Sequence, residues 1–276
     1  EKILFITALA SVTVIFFIIL TIFRDGLLLF KDISVSDFLF GMTWSPIRGD
    51  FGIFPMIVGT IVTTIGSMVI SVPIGILCAV FLAEVAPNAI RGVLRPTIEL
   101  LAGIPSVIYG FIGLRVLVPF IREYLGPPGE SILAGSIVLA IMALPAIITI
   151  SEDAIKSVPK IYKDTSLALG ATHWQTIKKV MLPTASSGIL AGVVLGTGRA
   201  IGETMAVIMV IGNLPFIPND VLDPVRTLTA NIALEFGYAP AGPHRQALFA
   251  TGIVLFIMIF ILIIGADMIR KGQEVK

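Results

Sequence analysis

The sequence predicts an all-α membrane protein with six transmembrane helices. Hydrophobic residues make up 56% of its 276 residues, charged residues make up only 13%, and the mean hydropathy is +1.01. A water-soluble domain of this composition would expose large apolar patches, whereas a bilayer requires apolar helices of about 20 residues with internally satisfied backbones. The six apolar runs that meet this requirement are Ile3–Phe23, Phe54–Ala83, Pro96–Ile121, Ser131–Ser151, Thr184–Gly212 and Ala247–Ile269.

The runs differ in regularity. The first is uninterrupted, and because no small-residue cleavage site follows it, we expect a membrane span there rather than a signal peptide. The second carries Pro73, which predicts a kinked or tilted helix, and the third is interrupted by glycines and by Pro105. We therefore expect residues 1–53 to form a first helix with an extracytoplasmic loop, and residues 54–276 to form a five-helix core.

The distribution of lysine and arginine predicts the orientation, because cytoplasmic loops carry an excess of these residues. With the N-terminus inside, five lysines lie in one cytoplasmic segment, residues 152–184, and both termini are cytoplasmic. The longer extracytoplasmic loops hold fewer cations. These cations are Arg24, Lys31, Arg48, Arg122, Arg226 and Arg245.

The composition also argues against several other classes of protein. The net charge of +1 and the pI near 8.1 give no reason to expect a nucleic-acid partner. The sequence lacks a nucleophilic serine elbow, a zinc motif and a Walker-type glycine loop, so we expect neither an enzyme nor ATP hydrolysis by this chain. His173 and His244 have no metal-ligand companions at useful spacing and are expected to be surface or interfacial residues. We predict no bound metal and no cofactor.

A polar island, Asp164–Pro183 (DTSLALGATHWQTIKKVMLP), lies between the fourth and fifth apolar runs. Gly170 is suited to the left-handed position that ends a helix. Thr172 with Gln175 three residues later predicts a capping box that opens a second short helix. We expect Pro183 to end that helix and to begin the next span.

Two interpretations of the polar island remain open from its spacing alone. It is either a short helical element presented to a groove of a soluble partner, whose movement it passes to the membrane helices, or a connecting loop anchored on the lipid surface by lysines and Trp174.

Two charged residues in the fifth run, Arg199 and Glu203, are four residues apart, which places them on one face of a continuous helix. An intramembrane charge normally faces a partner or a wet cavity. The pair is therefore a candidate for the translocation pathway, with Arg199 as a forked donor to an anion and Glu203 holding the arginine. The alternative is an ion pair that fixes helix packing.

Gly188, Gly192 and Gly196 recur every four residues in the same run, and small residues at this spacing allow helices to approach closely. Packing inside this subunit and contact with another subunit both remain open. Glu84, Glu99 and Asp267 lie near span ends. They are expected to mark those ends or to extend toward the interface.

The spacing of the polar island matches the cytoplasmic loop of ATP-binding-cassette (ABC) importer permeases, E-A-A-x3-G-x9-I-x-L-P. The matching residues are Asp164, Thr165 and Ser166 for the first three letters, Gly170 for the glycine, Val180 for the isoleucine, and Leu182 and Pro183 for the last two.

Three further segments resemble the phosphate-specific ABC importer permeases, in particular the PstC-type subunit. They are LAGIPSVIYGFIGL (Leu101–Leu114), LGATHWQTIKKVMLPTASSGILAG (Leu169–Gly192) and LGTGRAIGETMAVIMVIGN (Leu195–Asn213). The resemblance implies the six-helix type I importer fold in the cell membrane of a prokaryote, with phosphate as substrate and Arg199 and Glu203 important for transport. It also implies a PstA-like second permease, two PstB-like ATPase subunits that bind ATP–Mg, and an extracytoplasmic phosphate-binding protein. The outside loop Phe216–Gln246 is either part of the surface that receives this binding protein or only a long connector.

Two alternatives are retained. A permease for another oxyanion, such as sulfate, molybdate or phosphonate, shares the island but not the block Leu195–Asn213. A secondary transporter with Glu203 as a proton carrier would depend on the proton gradient rather than on ATP, and such transporters commonly show internal repeats, which we do not find here.

Overall fold

The computed structural model describes the backbone of residues 2–274 and the side chains of residues 4–269. Apart from one short hairpin, the regular structure of these residues is helical. The α-helices are α1 (Lys2–Leu27), α2 (Val35–Phe40), α3 (Phe54–Val80), α4 (Asn88–Gly103), α5 (Ser106–Ile112), α6 (Val118–Tyr124), α7 (Ile132–Lys156), α8 (Lys160–Ala168), α9 (His173–Thr176), α10 (Leu182–Thr184), α11 (Ser186–Gly202), α12 (Met205–Val210), α13 (Leu228–Glu235) and α14 (Pro243–Glu274). The hairpin strands are β1 (Trp44–Ser45) and β2 (Asp50–Phe51), a 3-10 turn covers Leu28–Lys31, and π-helical turns cover Phe81–Val85, Gly113–Leu117 and Ile177–Met181.

Within the described residues, four helices are long and apolar enough to cross a bilayer by themselves, and two bent helix pairs meet the same criterion together. The four are Leu4–Lys31, Phe54–Val85, Ile132–Lys156 and Pro243–Ile269. Counting each bent pair as one span gives six, which agrees with the predicted number. Pro73 lies inside α3, which continues past it.

The third and fifth spans are not the single helices that their apolar runs suggest. In the third, α4 and the helix from Ser106 to Tyr124 meet at 94°. Ile104 is extended there (φ −68°, ψ 128°), because a proline disfavours helical backbone in the residue before it. In the fifth, the helices before and after Ala185 meet at 69°, and α11 ends at Gly202. The fifth predicted span, Thr184–Gly212, is therefore bent at Ala185 and interrupted after Gly202.

The described chain divides into two compact units. The first lies within residues 2–60, 213–218 and 225–258, and the second within residues 61–212, 219–224 and 259–274. In the first unit, the buried core includes Leu29, Phe38, Ile53 and Leu248. The hairpin contributes the pair Trp44 and Phe51, whose rings meet edge to face at 5.6 Å.

The second unit is built around α7, which packs against α11, α4 and α12. Ser131 caps the N-terminus of α7, and its side-chain oxygen accepts a hydrogen bond from the backbone N–H of Ala134. Many of its residues are buried, including small ones such as Ala134, Ala140 and Ala143. Small residues on a membrane helix let neighbouring helices approach closely, so α7 is the element against which the other helices of this unit are positioned.

Candidate functional site

The first half of the polar island contains the C-terminal part of α8, and this helix ends in a C-terminal cap. Gly170 has a φ of +85°, a value that glycine adopts without the penalty other residues incur. The N–H of Ala171 donates to the carbonyl of Ser166 (3.2 Å), and the N–H of Gly170 donates to that of Leu167 (2.9 Å). These two bonds form the Schellman motif, so the hinge predicted at Gly170 is confirmed.

The second half of the island opens with the predicted capping box. The N–H of Gln175 donates to Thr172 Oγ1 (3.2 Å), and the N–H of Thr172 donates to Gln175 Oε1 (2.8 Å). The end of this half differs from the prediction. The helix continues through the π-helical turn and ends at Thr184, one residue beyond Pro183. Pro183 lies in this last segment, α10, which directly follows the π-helical turn.

The second half of the island has one face buried in the protein. Thr176, Ile177 and Met181 are almost inaccessible to solvent. The two apolar residues join a cluster with residues of α3, α7 and α11. Its other buried members are Ala79, Val80, Ile155, Val158, Ala185 and Ile189. The island is therefore fixed directly on the membrane helices.

The opposite face of the island is exposed. Leu169 is 84% accessible and Trp174 is 58% accessible. Asp164, Thr165 and Pro183, which match the permease loop pattern, are also exposed. Of the other matching residues, Ser166, Val180 and Leu182 are half-buried, and Gly170 is exposed at the tip of the turn. The polar island therefore exposes apolar side chains on one face, while its opposite face packs against the membrane helices.

The acidic residues beside the island have specific partners that the sequence alone did not reveal. Glu84, expected only to mark the end of a span, receives Lys163 Nζ at 2.6 Å and lies 3.8 Å from His173 Nε2. Its side chain is 8% exposed. Lys163 lies on α8 just before the island and His173 lies at the start of α9, so Glu84 connects both helices to the π-helical turn that follows α3.

A second ion cluster joins α4 to the end of α7. Arg95 contacts Glu99 (3.2 Å), Asp153 (3.2 Å) and the buried Glu152 (3.7 Å). Glu152 also pairs with Lys156. Glu99, which was expected to extend toward the interface, pairs with Arg95 one helical turn before it in α4. The contacts of Arg95 with Glu152 and Asp153 are the ones that join α4 to the end of α7.

Arg199 lies in the last turn of α11, and Glu203 directly follows the last residue of that helix. Glu203 has a φ of −69° and a ψ of 132°, so the chain leaves the helical path immediately after Glu203. Its Oε1 accepts a hydrogen bond from the N–H of Ala206 (3.3 Å), which satisfies one of the N–H groups that the start of α12 leaves unpaired.

Arg199 lines a groove of about 740 Å³ in the second unit. The groove lies between α11 and the final part of α14, and its walls are apolar except at a few positions. Gly198 lies beside Arg199, and Asp267, which was expected to extend to the interface, lines the same groove. The structure thus places Arg199 in a groove whose other lining residues are mostly apolar.

The three glycines of the predicted packing stripe face α7. A Cβ added at Gly188 would lie 2.5 Å from the Cβ of Ala154, and one at Gly196 would lie 2.8 Å from Ile147 Cγ1. Gly192 faces Ile150 in the same way. The stripe therefore packs inside this subunit. In contrast, a Cβ at Gly198 or Gly202 would meet nothing within 4 Å.

A buried polar cluster in the first unit was not anticipated. Glu235 accepts hydrogen bonds from Trp44 Nε1 (2.8 Å) and Arg226 Nη1 (2.9 Å), and its Oε2 lies 2.8 Å from His244 Nε2. His244 is only 11% exposed, so of the two expected locations, surface or interfacial, the surface is excluded. The cluster organises the segment Phe216–Gln246, which contains α13.

The chain is similar to several known transport proteins. Residues 71–274 match the family described as binding-protein-dependent transport system inner membrane component. The chain is 45% identical, over 98% of its length and 90% of the relative's, to the probable ABC transporter permease protein YqgH of Bacillus subtilis (strain 168). It is 38% identical, over 82% of its length and 75% of the relative's, to the phosphate transport system permease protein PstC of Mesorhizobium japonicum.

Solved structures show the same fold at low sequence identity. A bacterial ABC transporter involved in the import of the acidic polysaccharide alginate aligns with a TM-score of 0.66 at 17% identity, covering 96% of this chain and 94% of that one. The MetNI methionine ABC transporter in an inward-facing conformation aligns with a TM-score of 0.60 at 22% identity, covering 84% of this chain and 97% of that one. The fold is therefore that of type I ABC importer permeases.

Proposed function

Since the chain belongs to the family of binding-protein-dependent transport system inner membrane components, we propose that it is the permease subunit of an ATP-driven phosphate importer. In this role it forms half of the translocation pathway and couples to a separate ATPase subunit. The observation that carries the proposal is the polar island, buried on one face against α3 and α7 and exposed at Leu169 and Trp174 on the other.

The exposed face of the island is the docking surface for the ATPase in this proposal. A short helical element with exposed apolar residues fits a groove in a partner, and a buried opposite face transmits the partner's movement. The chain itself is not an enzyme, and ATP–Mg is bound by the partner. The complex contains a PstA-like second permease, two PstB-like ATPase subunits and an extracytoplasmic phosphate-binding protein.

Phosphate is the proposed substrate because of the relatives' names and the cation in the groove. Curated relatives at 35–40% identity are named phosphate transport system permease protein PstC. Arg199 supplies a planar forked donor of the kind that binds phosphate oxygens, and Gly198 leaves open space beside it. Glu203 shapes the break at which α11 ends. Sulfate, molybdate or phosphonate is the alternative cargo.

The proposed orientation places both termini and the polar island in the cytoplasm. It follows from the concentration of lysines in residues 152–184. The protein is a multi-pass inner membrane protein, and the segment Phe216–Gln246 then lies outside, where the binding protein docks.

The test is purification of the tagged chain from membranes with its associated subunits. We expect a second permease and an ATPase to co-purify, and we expect a phosphate-loaded binding protein to stimulate ATP hydrolysis and phosphate uptake in proteoliposomes. If the proteoliposomes take up sulfate or molybdate in preference to phosphate, that oxyanion is the substrate instead of phosphate. Transport by the chain alone, independent of ATP, would overturn the proposal.

A further inference from the structure

One carboxylate oxygen contacts both α8, at the residue just before the polar island, and the start of α9 within the island. Glu84 Oε2 lies 2.6 Å from Lys163 Nζ on α8 and 3.8 Å from His173 Nε2 at the start of α9. The Glu84 side chain is 8% exposed, whereas Lys163 and His173 are 31% and 48% exposed. Burying a carboxylate is costly unless the group is paired. The positions of Glu84 and its partners are therefore more restricted than those of a surface ion pair.

The backbone that carries Glu84 is itself fixed. Arg91 Nε donates to the carbonyl of Leu82 (2.7 Å), and its Nη2 donates to that of Ala83 (3.1 Å). The Leu82 side chain is fully buried beside Ile98 and Ile148. A displacement of the Glu84 side chain therefore moves the end of α3 rather than a flexible loop.

The island side of the contact is equally constrained. Ser166 and Thr176 are joined by a hydrogen bond between their hydroxyl oxygens (3.0 Å), which ties α8 to α9. The buried Ile177 and Met181 hold the second half on α3 and α7. Apolar packing is non-directional, whereas a hydrogen-bonded ion pair fixes direction.

We propose that Glu84 is a positioning residue that transmits movement of the polar island to the second membrane span through its pair with Lys163. The inference rests on the proposed coupling function. A partner that displaces the exposed side of the island pulls Lys163 with it. Glu84 then directs that displacement along α3. Without the pair, the island still docks and the partner still hydrolyses ATP, but less of the movement reaches the pathway.

The first test removes each charge in the complete complex, reconstituted in proteoliposomes with the binding protein. The variants are Glu84→Gln and Lys163→Gln, with Glu99→Gln and Lys160→Gln as matched controls. Glu99 pairs with Arg95 at the surface, and the exposed Lys160 lies on the same helix as Lys163. The readouts are co-purified ATPase, ATP hydrolysis and phosphate uptake.

We expect the two test variants to assemble and to hydrolyse ATP as the wild type does. Phosphate transported per ATP should fall by about tenfold, the lower end of the effect of losing a hydrogen bond to a charged group. Both control variants should keep the wild-type ratio of phosphate transported to ATP hydrolysed. An unchanged ratio in Glu84→Gln overturns the proposal, and so does a parallel loss of assembly, hydrolysis and uptake, which is the result of a purely structural role.

The second test exchanges the charges. Glu84→Lys and Lys163→Glu each place like charges together and should uncouple transport, whereas the double variant restores an opposite-charge pair and should recover most of the ratio. A double variant no better than either single variant contradicts the proposal. If the wild-type complex transports no phosphate although it hydrolyses ATP, the proposed substrate fails instead, and the ratio is then measured with the transported oxyanion.

Discussion

Ser166 and Thr176 lie ten residues apart on opposite sides of the turn at Gly170, and their hydroxyl oxygens are 3.0 Å from each other. Thr176 is completely buried. Ser166 occupies the third letter of the permease loop pattern, so a residue of the motif is also the link between the two halves of the polar island. The motif position therefore has a structural reason that does not involve a partner.

A double-mutant cycle on this pair should show coupling. Thr176→Val keeps the shape of the side chain and removes its hydroxyl, and Ser166→Ala removes the other partner. We expect each single variant to lose about 1 kcal/mol of stability and the double variant to lose less than the sum. The measurement is thermal or denaturant unfolding of the purified protein in detergent. Strict additivity would show that the two hydroxyls do not interact.

Gly170→Ala should destabilise the chain although it meets no neighbour. A Cβ at this position has open space within 4 Å, but the φ of +85° disfavours any L side chain, at a cost of about 1–2 kcal/mol. Gly92→Ala is the control, since it also meets nothing within 4 Å and lies in α4 with ordinary φ. Equal stability of the two variants would contradict the assigned cap geometry.

Gly188→Ala should destabilise the packing of α11 on α7, because the new methyl group would lie 2.5 Å from the Cβ of Ala154. We expect a loss of about 1–3 kcal/mol. The second change Ala154→Gly should recover part of it. Gly198→Ala, with nothing within 4 Å, should be neutral or stabilising by up to about 1 kcal/mol. If Gly188→Ala and Gly198→Ala change the free energy of unfolding by the same amount, the stripe does not face α7.

Arg199→Gln should abolish phosphate uptake in a complex that still assembles and hydrolyses ATP. The amide keeps much of the size of the side chain but loses the charge and the planar fork. Arg115→Gln is the control, because Arg115 is exposed and lies 5.8 Å over the ring of Phe111, away from the groove residues. Uptake is measured with labelled phosphate. Normal uptake by Arg199→Gln would remove this residue from the pathway.

Trp44→Phe should weaken the first unit specifically. It deletes the N–H that donates to Glu235 Oε2 while keeping an aromatic ring to pack against Phe51. The loss of a hydrogen bond to a buried carboxylate costs about 1.5–3 kcal/mol. Phe40→Tyr, a conservative change at an exposed ring, should leave unfolding unchanged. Identical melting of wild type and Trp44→Phe would show that Arg226 and His244 suffice for Glu235.

The features predicted correctly from the sequence are those governed by local chemistry. The six spans follow from apolar runs, and the Gly170 hinge and the Thr172–Gln175 box follow from residues a few positions apart. The break at Glu203 escaped prediction because no proline or glycine pair marks it, and the side chain that stabilises it points to a backbone N–H beyond it.

Contacts between distant residues could not be predicted in the same way. Glu84 and Lys163 are 79 residues apart, and each is an ordinary charge near a span end when considered alone. His244 finds Glu235 only because the hairpin and α13 bring Trp44 and Arg226 to the same carboxylate. Such contacts depend on tertiary packing, which cannot be predicted from a single sequence.

Glu84 lies in a π-helical turn, Phe81–Val85, and this has a consequence for how the protein tolerates insertions and deletions. A π-helical turn contains one residue more than the α-helical turn it replaces. Deleting one residue between Val80 and Glu84 would restore α-helical geometry and leave the preceding side chains of the span close to their present azimuth relative to Glu84. The π-helical turn therefore allows this segment to lose one residue while Glu84 still faces Lys163, whereas deleting a residue from the α-helical part of α3 would rotate the preceding side chains by about 100°.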